Sequence, residues 1–196
     1  PNIVTVHDLG VLPAPGKETA GAPQPYFCMR FVRGRNLGEI LAACARGDEA
    51  THKTFSRPRL LSIFQQICMG IAFAHDHGVI HRDLKPQNVM IGDYGETLIV
   101  DWGLAKSIGT DDPQKNPTQA ALLAPATEPT LTQDGDIVGT PTYMSPEQAQ
   151  GLNAEVDERS DIYALGAILY EILTWHPPYE GRSVFDVLQL VRDGAL

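Results

Sequence analysis

Residues 80–91, Ile-His-Arg-Asp-Leu-Lys-Pro-Gln-Asn-Val-Met-Ile, and residues 98–103, Leu-Ile-Val-Asp-Trp-Gly, constrain this chain more than any other stretch. Each contains an apolar run of strand character that delivers polar groups at one end, and Pro86 breaks any helix through the polar part. Asp83, Lys85, Asn88 and Asp101 are therefore predicted to converge in one cleft.

Two carboxylates, an amide and an ammonium held together suit phosphoryl transfer. That reaction needs a carboxylate to take a hydroxyl proton, a cation against the moving phosphate, and hard oxygen ligands for Mg²⁺. Asp83 can be the first and Lys85 the second, with Asn88 and Asp101 as the third.

The order and spacing of these residues resemble the catalytic loop and metal-binding motif of the eukaryotic-like protein kinases. Lys85, two residues after Asp83, resembles the Ser/Thr branch, and the general style of the sequence is similar to the bacterial members. Trp102 stands where the family usually has Phe. A third stretch, Gly139-Thr140-Pro141-Thr142-Tyr143-Met144-Ser145-Pro146-Glu147, is similar to the family's substrate-docking loop, with Ser145 in place of the usual Ala.

The resemblance implies an α+β, protein-kinase-like fold. Residues 1–32 would be the end of a small β lobe and the hinge, residues 33–196 a mostly helical large lobe, and residues 101–147 the activation segment. It implies ATP and Mg²⁺ as cofactors and Ser or Thr hydroxyls of a protein substrate as acceptors, in a signalling role.

Residue by residue, it implies that Met29 is the gatekeeper and that the Arg30 carbonyl and Val32 N–H hold the adenine edge. Met90 and Val89 would form the apolar floor beneath adenine. Thr140 would hydrogen-bond Asp83 and Lys85, and Glu147 would pair with an Arg from a later helix. His81 would stack with Trp102 and sit near Asp161, whose carboxylate would accept hydrogen bonds from the catalytic-loop backbone. Arg82 would pair with a phosphothreonine, Thr132 first, then Thr130 and Thr127, while Asp134 could supply charge without modification.

Composition narrows the alternatives. The formal charge of −9 and pI of about 5.0 argue against a nucleic-acid-binding surface. Cys28, Cys44 and Cys68 form no close pair, which favours neither a disulfide framework nor a zinc site. That cysteine usage favours a reduced, cytoplasmic location, and with no apolar run reaching the roughly 18 residues that span a bilayer the chain is expected to be soluble, with room for an anchor elsewhere in a parent protein. Nothing before the strand-like start supplies the family's Gly-rich lid or strand Lys, so the resemblance implies a domain truncated at both ends, with weak nucleotide binding and little activity by itself. A pseudokinase or scaffold is the rival reading. A small-molecule phosphotransferase is a further one, disfavoured by Lys85-Pro86, Thr140 and Pro146-Glu147.

Local patterns predict the remaining elements. Strands are expected over Ile3 to Leu9, ended by Gly10, and over Tyr26 to Val32. A short helix should follow Gly34 to Leu37 and reach Ala45, with Asn36 either capping it or touching a ribose. Arg46 to Phe55 reads as a polar surface loop. A long helix should start at Ser56 and Pro58, burying Leu60, Leu61, Phe64, Ile67, Cys68, Ile71 and Ala72, and ending at Gly78 with His75 and His77 favouring its dipole. Gly92 to Glu96 reads as a solvated turn, Thr97 to Val100 as the strand that aims Asp101, and Gly103 as its flexible point. A helix opened by Asp161 is apolar all round through Leu173, and Ser183 with Asp186 should cap a last amphipathic one.

Overall fold

A computed structural model describes residues 1–12, 24–103, 105–107 and 141–194. Thr127, Thr130, Thr132, Asp134, Gly139 and Thr140 lie outside the described residues, as does most of the connection from Pro13 to Pro25.

Strands β1 (Val6–Leu12) and β2 (Gln24–Met29) form an antiparallel hairpin. The chain continues through β3 (Gly34–Asn36), α1 (Leu37–Ala45), α2 (Glu49–Thr54), α3 (Arg57–Asp76) and β4 (Val79–Ile80). Then come β5 (Val89–Gly92), β6 (Thr97–Ile99), β7 (Lys106–Ser107), α4 (Pro146–Ala149), α5 (Glu158–Thr174) and α6 (Val184–Asp193). The architecture is α+β, with helices dominating after Asn36 and the strands paired as β1-β2, β3-β5-β6 and β4-β7.

Strand β1 runs through Gly10 rather than stopping there. Gly10 lies opposite Tyr26, and a Cβ at this position would stand 2.6 Å from the tyrosine ring, so the residue serves packing and not a turn. Ile3 falls outside β1 and bridges Ile99 in parallel, with Val4 N–H donating to the Ile99 carbonyl at 3.0 Å. Strand β2 ends at Met29, three residues short of expectation, where Arg30 N–H turns to the Thr5 carbonyl at 3.0 Å.

Asn36 caps α1. Its Oδ1 accepts from Glu39 N–H at 2.8 Å while Glu39 Oε2 accepts from Asn36 N–H at 3.3 Å, a complete capping box. The stretch expected to be a loop contains α2, whose first turn is satisfied by Asp48 Oδ1 accepting from Thr51 N–H at 2.6 Å. Six mostly polar residues give no periodicity to read, so only that cap marked the helix.

Helix α3 buries Leu60, Ile63, Ile67, Gly70, Ile71 and Ala74, a face rotated from the expected one; Leu61 and Ala72 are exposed. The rotation follows from Gly70, which lies close to β6: a Cβ there would stand 2.8 Å from Ile99 Cδ1. Helix α5 crosses α3 and buries Ala164, Leu165, Ile168 and Ile172, but it is not buried all round: Ile162 is 56% exposed, and Tyr170 and Leu173 are exposed too. Each fully buried Ile or Leu of this core contributes about 1.5–3 kcal/mol. Together they hold the ends of β4, α5 and β5 around one loop.

Helix α6 carries the expected box, with Ser183 Oγ accepting from Asp186 N–H at 3.1 Å and Asp186 Oδ2 from Ser183 N–H at 3.0 Å. It buries Val187 and Val191 and sends Arg192 Nε to the Ala149 carbonyl at 2.7 Å, fixing α4 from behind.

Candidate active site

Residues 81–88 join β4 to β5 and take their shape from α5. Asp161, in the first turn of α5 and 1% exposed, accepts His81 N–H on Oδ2 and Arg82 N–H on Oδ1, each at 2.9 Å. Helix α3 contributes as well: His75 Nε2 lies 2.8 Å from the same Oδ2. His75 therefore meets a buried carboxylate rather than the helix dipole. His77 is the C-cap residue of α3, with its Nδ1 2.8 Å from the Phe73 carbonyl.

Arg82 has a φ of 70°, the left-handed region that a side chain makes costly by about 1–2 kcal/mol. Its N–H is held by Asp161, and its carbonyl accepts from Gln148 Nε2 of α4 at 2.6 Å. The kink turns the next residue, Asp83, away from the core.

His81 is fully buried, and both of its ring nitrogens are engaged. Nε2–H donates to the Val100 carbonyl at 3.2 Å and Nδ1 accepts from Asp83 N–H at 3.3 Å, an arrangement that requires the neutral ring. Burial pushes its pKa down, against a smaller opposing pull from the Val100 carbonyl and Asp161. The Trp102 ring packs 4.6 Å from it at 59°, fixed by Trp102 Nε1–H on the Ile99 carbonyl at 3.2 Å.

In front of this ring sits the polar cluster. Lys85 Nζ lies 2.7 Å from Asp83 Oδ2, and Asn88 Nδ2 donates to the same oxygen at 3.1 Å and to the Asp83 carbonyl at 2.7 Å. Asp83 Oδ1 keeps no hydrogen bond among the described residues, and the side chain is 25% exposed. With its amide nitrogen committed to Asp83, Asn88 has its amide oxygen left as a hard donor.

Val100 N–H donates to the Asn88 carbonyl at 2.9 Å, so β5 and β6 deliver Asn88 and Asp101 side by side. Asp101 is exposed and itself adopts a φ of 62°. The unusual backbone is therefore at Asp101, where the sequence suggested Gly103. Asp tolerates this region better than most residues because its short side chain bonds locally.

Met29, 40% exposed, ends β2, and Arg30 and Val32 lie in the crossing from there to β3. Arg30 Nη2 pairs with Glu96 Oε1 at 3.2 Å, so the turn after β5 is tied to this crossing rather than merely solvated. Met90 is half-buried and lies opposite Asn36 and Leu98 in the sheet. Val89 is fully buried on the other face; pleat alternation separates it from Met90, and it belongs to the core rather than beside Met90.

Two contacts fasten α4 and the segment before it to α5. Glu147 accepts from Ser160 Oγ at 2.6 Å, so its carboxylate is not left alone. Burial opposes its ionised form, but hydrogen bonds led by that of Ser160 hold its pKa below the usual range. Just before α4, Tyr143 O–H donates to Glu171 Oε2 of α5 at 2.5 Å. The contact of His75 with Asp161 and the role of Gln148 are not foreseen by the sequence. The spacing from Ser145 to Gln148 was a capping-box signal for the second.

Among the described residues no helix is long and apolar enough to cross a membrane. The chain matches the family described as "Protein kinase domain" over residues 1–194. It is 39% identical over 169 residues to serine/threonine-protein kinase PknD of Protochlamydia amoebophila, covering 84% of this chain and 17% of that protein. It is 36% identical over 183 residues to serine/threonine-protein kinase PknB of Mycolicibacterium smegmatis, covering 93% and 24%. With PknB of Mycobacterium tuberculosis the identity is 34% over 187 residues, covering 95% and 25%. The chain thus spans a quarter or less of the length of these curated relatives. With the α+β architecture and the cluster around Asp83 beside it, the match over nearly the whole length makes this chain a member of the protein kinase family, similar to bacterial serine/threonine kinases.

Proposed function

We propose that this chain is the catalytic region of an active Ser/Thr protein kinase that moves the γ-phosphate of ATP to a protein hydroxyl in signalling. The observation that supports it best is the division of labour on Asp83. Oδ2 is occupied by Lys85 Nζ at 2.7 Å and Asn88 Nδ2 at 3.1 Å, which leaves Oδ1 to accept the hydroxyl proton. Lys85 steadies the moving phosphate from beside that base.

The donor set suits Mg²⁺, since the free amide oxygen of Asn88 and the exposed carboxylate of Asp101 are hard oxygens, on segments whose backbones pair through Val100 N–H and the Asn88 carbonyl. Mg²⁺ bound there would neutralise charge on the phosphate oxygens. Met29, the Arg30 carbonyl, Val32 N–H and Met90 hold the adenine. Thr140 orients Asp83 and Lys85, and a phosphate on Thr132 or Thr130 meets Arg82. These threonines complete the reading from sequence alone.

The test is transfer of labelled phosphate from ATP to a generic Ser/Thr protein, using the full natural polypeptide and its Asp83→Asn variant. The variant should lose about 10²- to 10⁴-fold in rate with its fold intact. An undiminished rate would remove Asp83 as the base. A wild type silent under all conditions would favour a scaffold that binds partners without transfer.

A further inference from the structure

Three successive peptide groups run from Ile80 to Asp83, and each is pinned. The His81 and Arg82 N–H groups bind the two oxygens of Asp161 at 2.9 Å. The third peptide, whose plane leads directly into Asp83, is held at both ends. Its N–H donates to His81 Nδ1 at 3.3 Å, and its oxygen, the Arg82 carbonyl, accepts from Gln148 Nε2 at 2.6 Å. The shorter of these two contacts comes from α4.

The Gln148 amide can sit only one way round. Its Oε1 accepts from Ser145 N–H at 3.1 Å and from Ser145 Oγ at 3.2 Å, both donors, while its nitrogen faces a carbonyl. A flipped amide would oppose like groups on both sides. One side chain therefore links the start of α4 to the peptide that aims Asp83, in a region where Arg82 has a φ of 70° and needs its neighbours to stay there.

We infer that Gln148 is a positioning residue for phosphoryl transfer: it fixes the Arg82–Asp83 peptide and so couples the seating of α4 to the aim of Asp83. This rests on the reading of Asp83 as the base. The bland alternative is that Gln148 only caps α4, because Ser145 and Gln148 stand at capping-box spacing.

Gln148→Glu separates the two roles. A carboxylate keeps both bonds from Ser145 and is a good residue for the cap, but it has no proton for the Arg82 carbonyl and sets an oxygen against it. In the full natural polypeptide, Gln148→Glu should keep the cap of α4 and the KM for ATP of the wild type. Its kcat toward a protein acceptor should fall about 10- to 100-fold, the scale of a slightly misplaced reacting group. Amide exchange in the peptide covering residues 80–84 should speed up, because the Asp83 N–H loses its fixed plane. Gln148→Ala, which removes cap and tether together, should lower both kcat and the melting temperature.

Wild-type kcat and unchanged exchange in Gln148→Glu would overturn the inference and leave the cap. If the wild type transfers no phosphate, the proposed function fails, while the exchange measurement still decides whether Gln148 holds the Asp83 peptide.

Discussion

His75, in the last turn of α3, and His81, just after β4, converge on a single oxygen of Asp161. The imidazole Nε2 of His75 and the backbone N–H of His81 reach Oδ2 at 2.8 and 2.9 Å. With Arg82 N–H on Oδ1, one buried side chain serves three partners. Replacing Asp161 by Ala strands two buried N–H groups and the ring. Hydrogen bonds to a charged acceptor are worth about 1.5–3 kcal/mol each, so Asp161→Ala should lose at least about 3 kcal/mol of stability in a urea melt and phosphate transfer with it. His75→Gln, which keeps one donor, should lose far less.

Glu171 carries a pH dependence of its own. Burial pushes its pKa up, and the Tyr143 hydroxyl bond opposes this only in part. The folded state therefore binds this proton more tightly than the unfolded state does. Its contribution is fully present below the unfolded carboxylate range and is lost as pH rises through the raised folded value. Glu171→Gln keeps an acceptor for Tyr143 and never ionises. Urea melts from pH 4 to 7 should show the wild type losing ground to this variant as pH rises; a constant difference would count against the assignment.

Gly34 sets the spacing between the β2–β3 crossing and the central sheet. Its φ is 147°, and a Cβ there would stand 2.0 Å from the backbone oxygen of Ile91, which has no rotamer by which to move aside. Gly34→Ala should cost at least about 1–3 kcal/mol from the backbone alone, read as a lowered urea midpoint. Gly95, also at positive φ but with open space around its Cβ position, is the control. Gly95→Asn should change stability little.

Asp101 offers a test of metal binding separate from folding. Asn keeps its tolerance of φ 62° and lacks the charge. Asp101→Asn should therefore melt like the wild type while losing Mg²⁺-dependent ATP binding in calorimetry, and Asp101→Ala should also lose about 1 kcal/mol of stability through backbone strain. Full Mg²⁺ dependence in Asp101→Asn would place the metal elsewhere.

The cluster was legible because its residues lie close in sequence. Asp83, Lys85 and Asn88 share one loop, so their side chains meet at Asp83 Oδ2 once that loop is held. The anchoring of the loop on Asp161 was legible only through the family resemblance, and the added contacts from His75 and Gln148 were not legible at all. The partners of Asp161 are fixed by how α3 crosses α5, and no local pattern in either helix encodes that angle. The face of α3 was misjudged for a related reason: hydrophobicity favoured Leu61 and Ala72, whereas the close approach at Gly70 decided which side faces β6. Helix α2 was missed because a one-turn cap by Asp48 outweighs weak propensity over six residues. The left-handed turn at Asp101 depends on the register of β6 against β5, a tertiary property.

The His81 ring has one more consequence. It receives the N–H of Asp83 on one nitrogen and gives its own N–H to the carbonyl of Val100, the residue before Asp101, on the other. The distance between the two acidic positions is thus gauged by an aromatic ring, whose dimensions are set by covalent bonds. A flexible side chain in that place would let the gap breathe with every rotamer change; an imidazole makes it a fixed length.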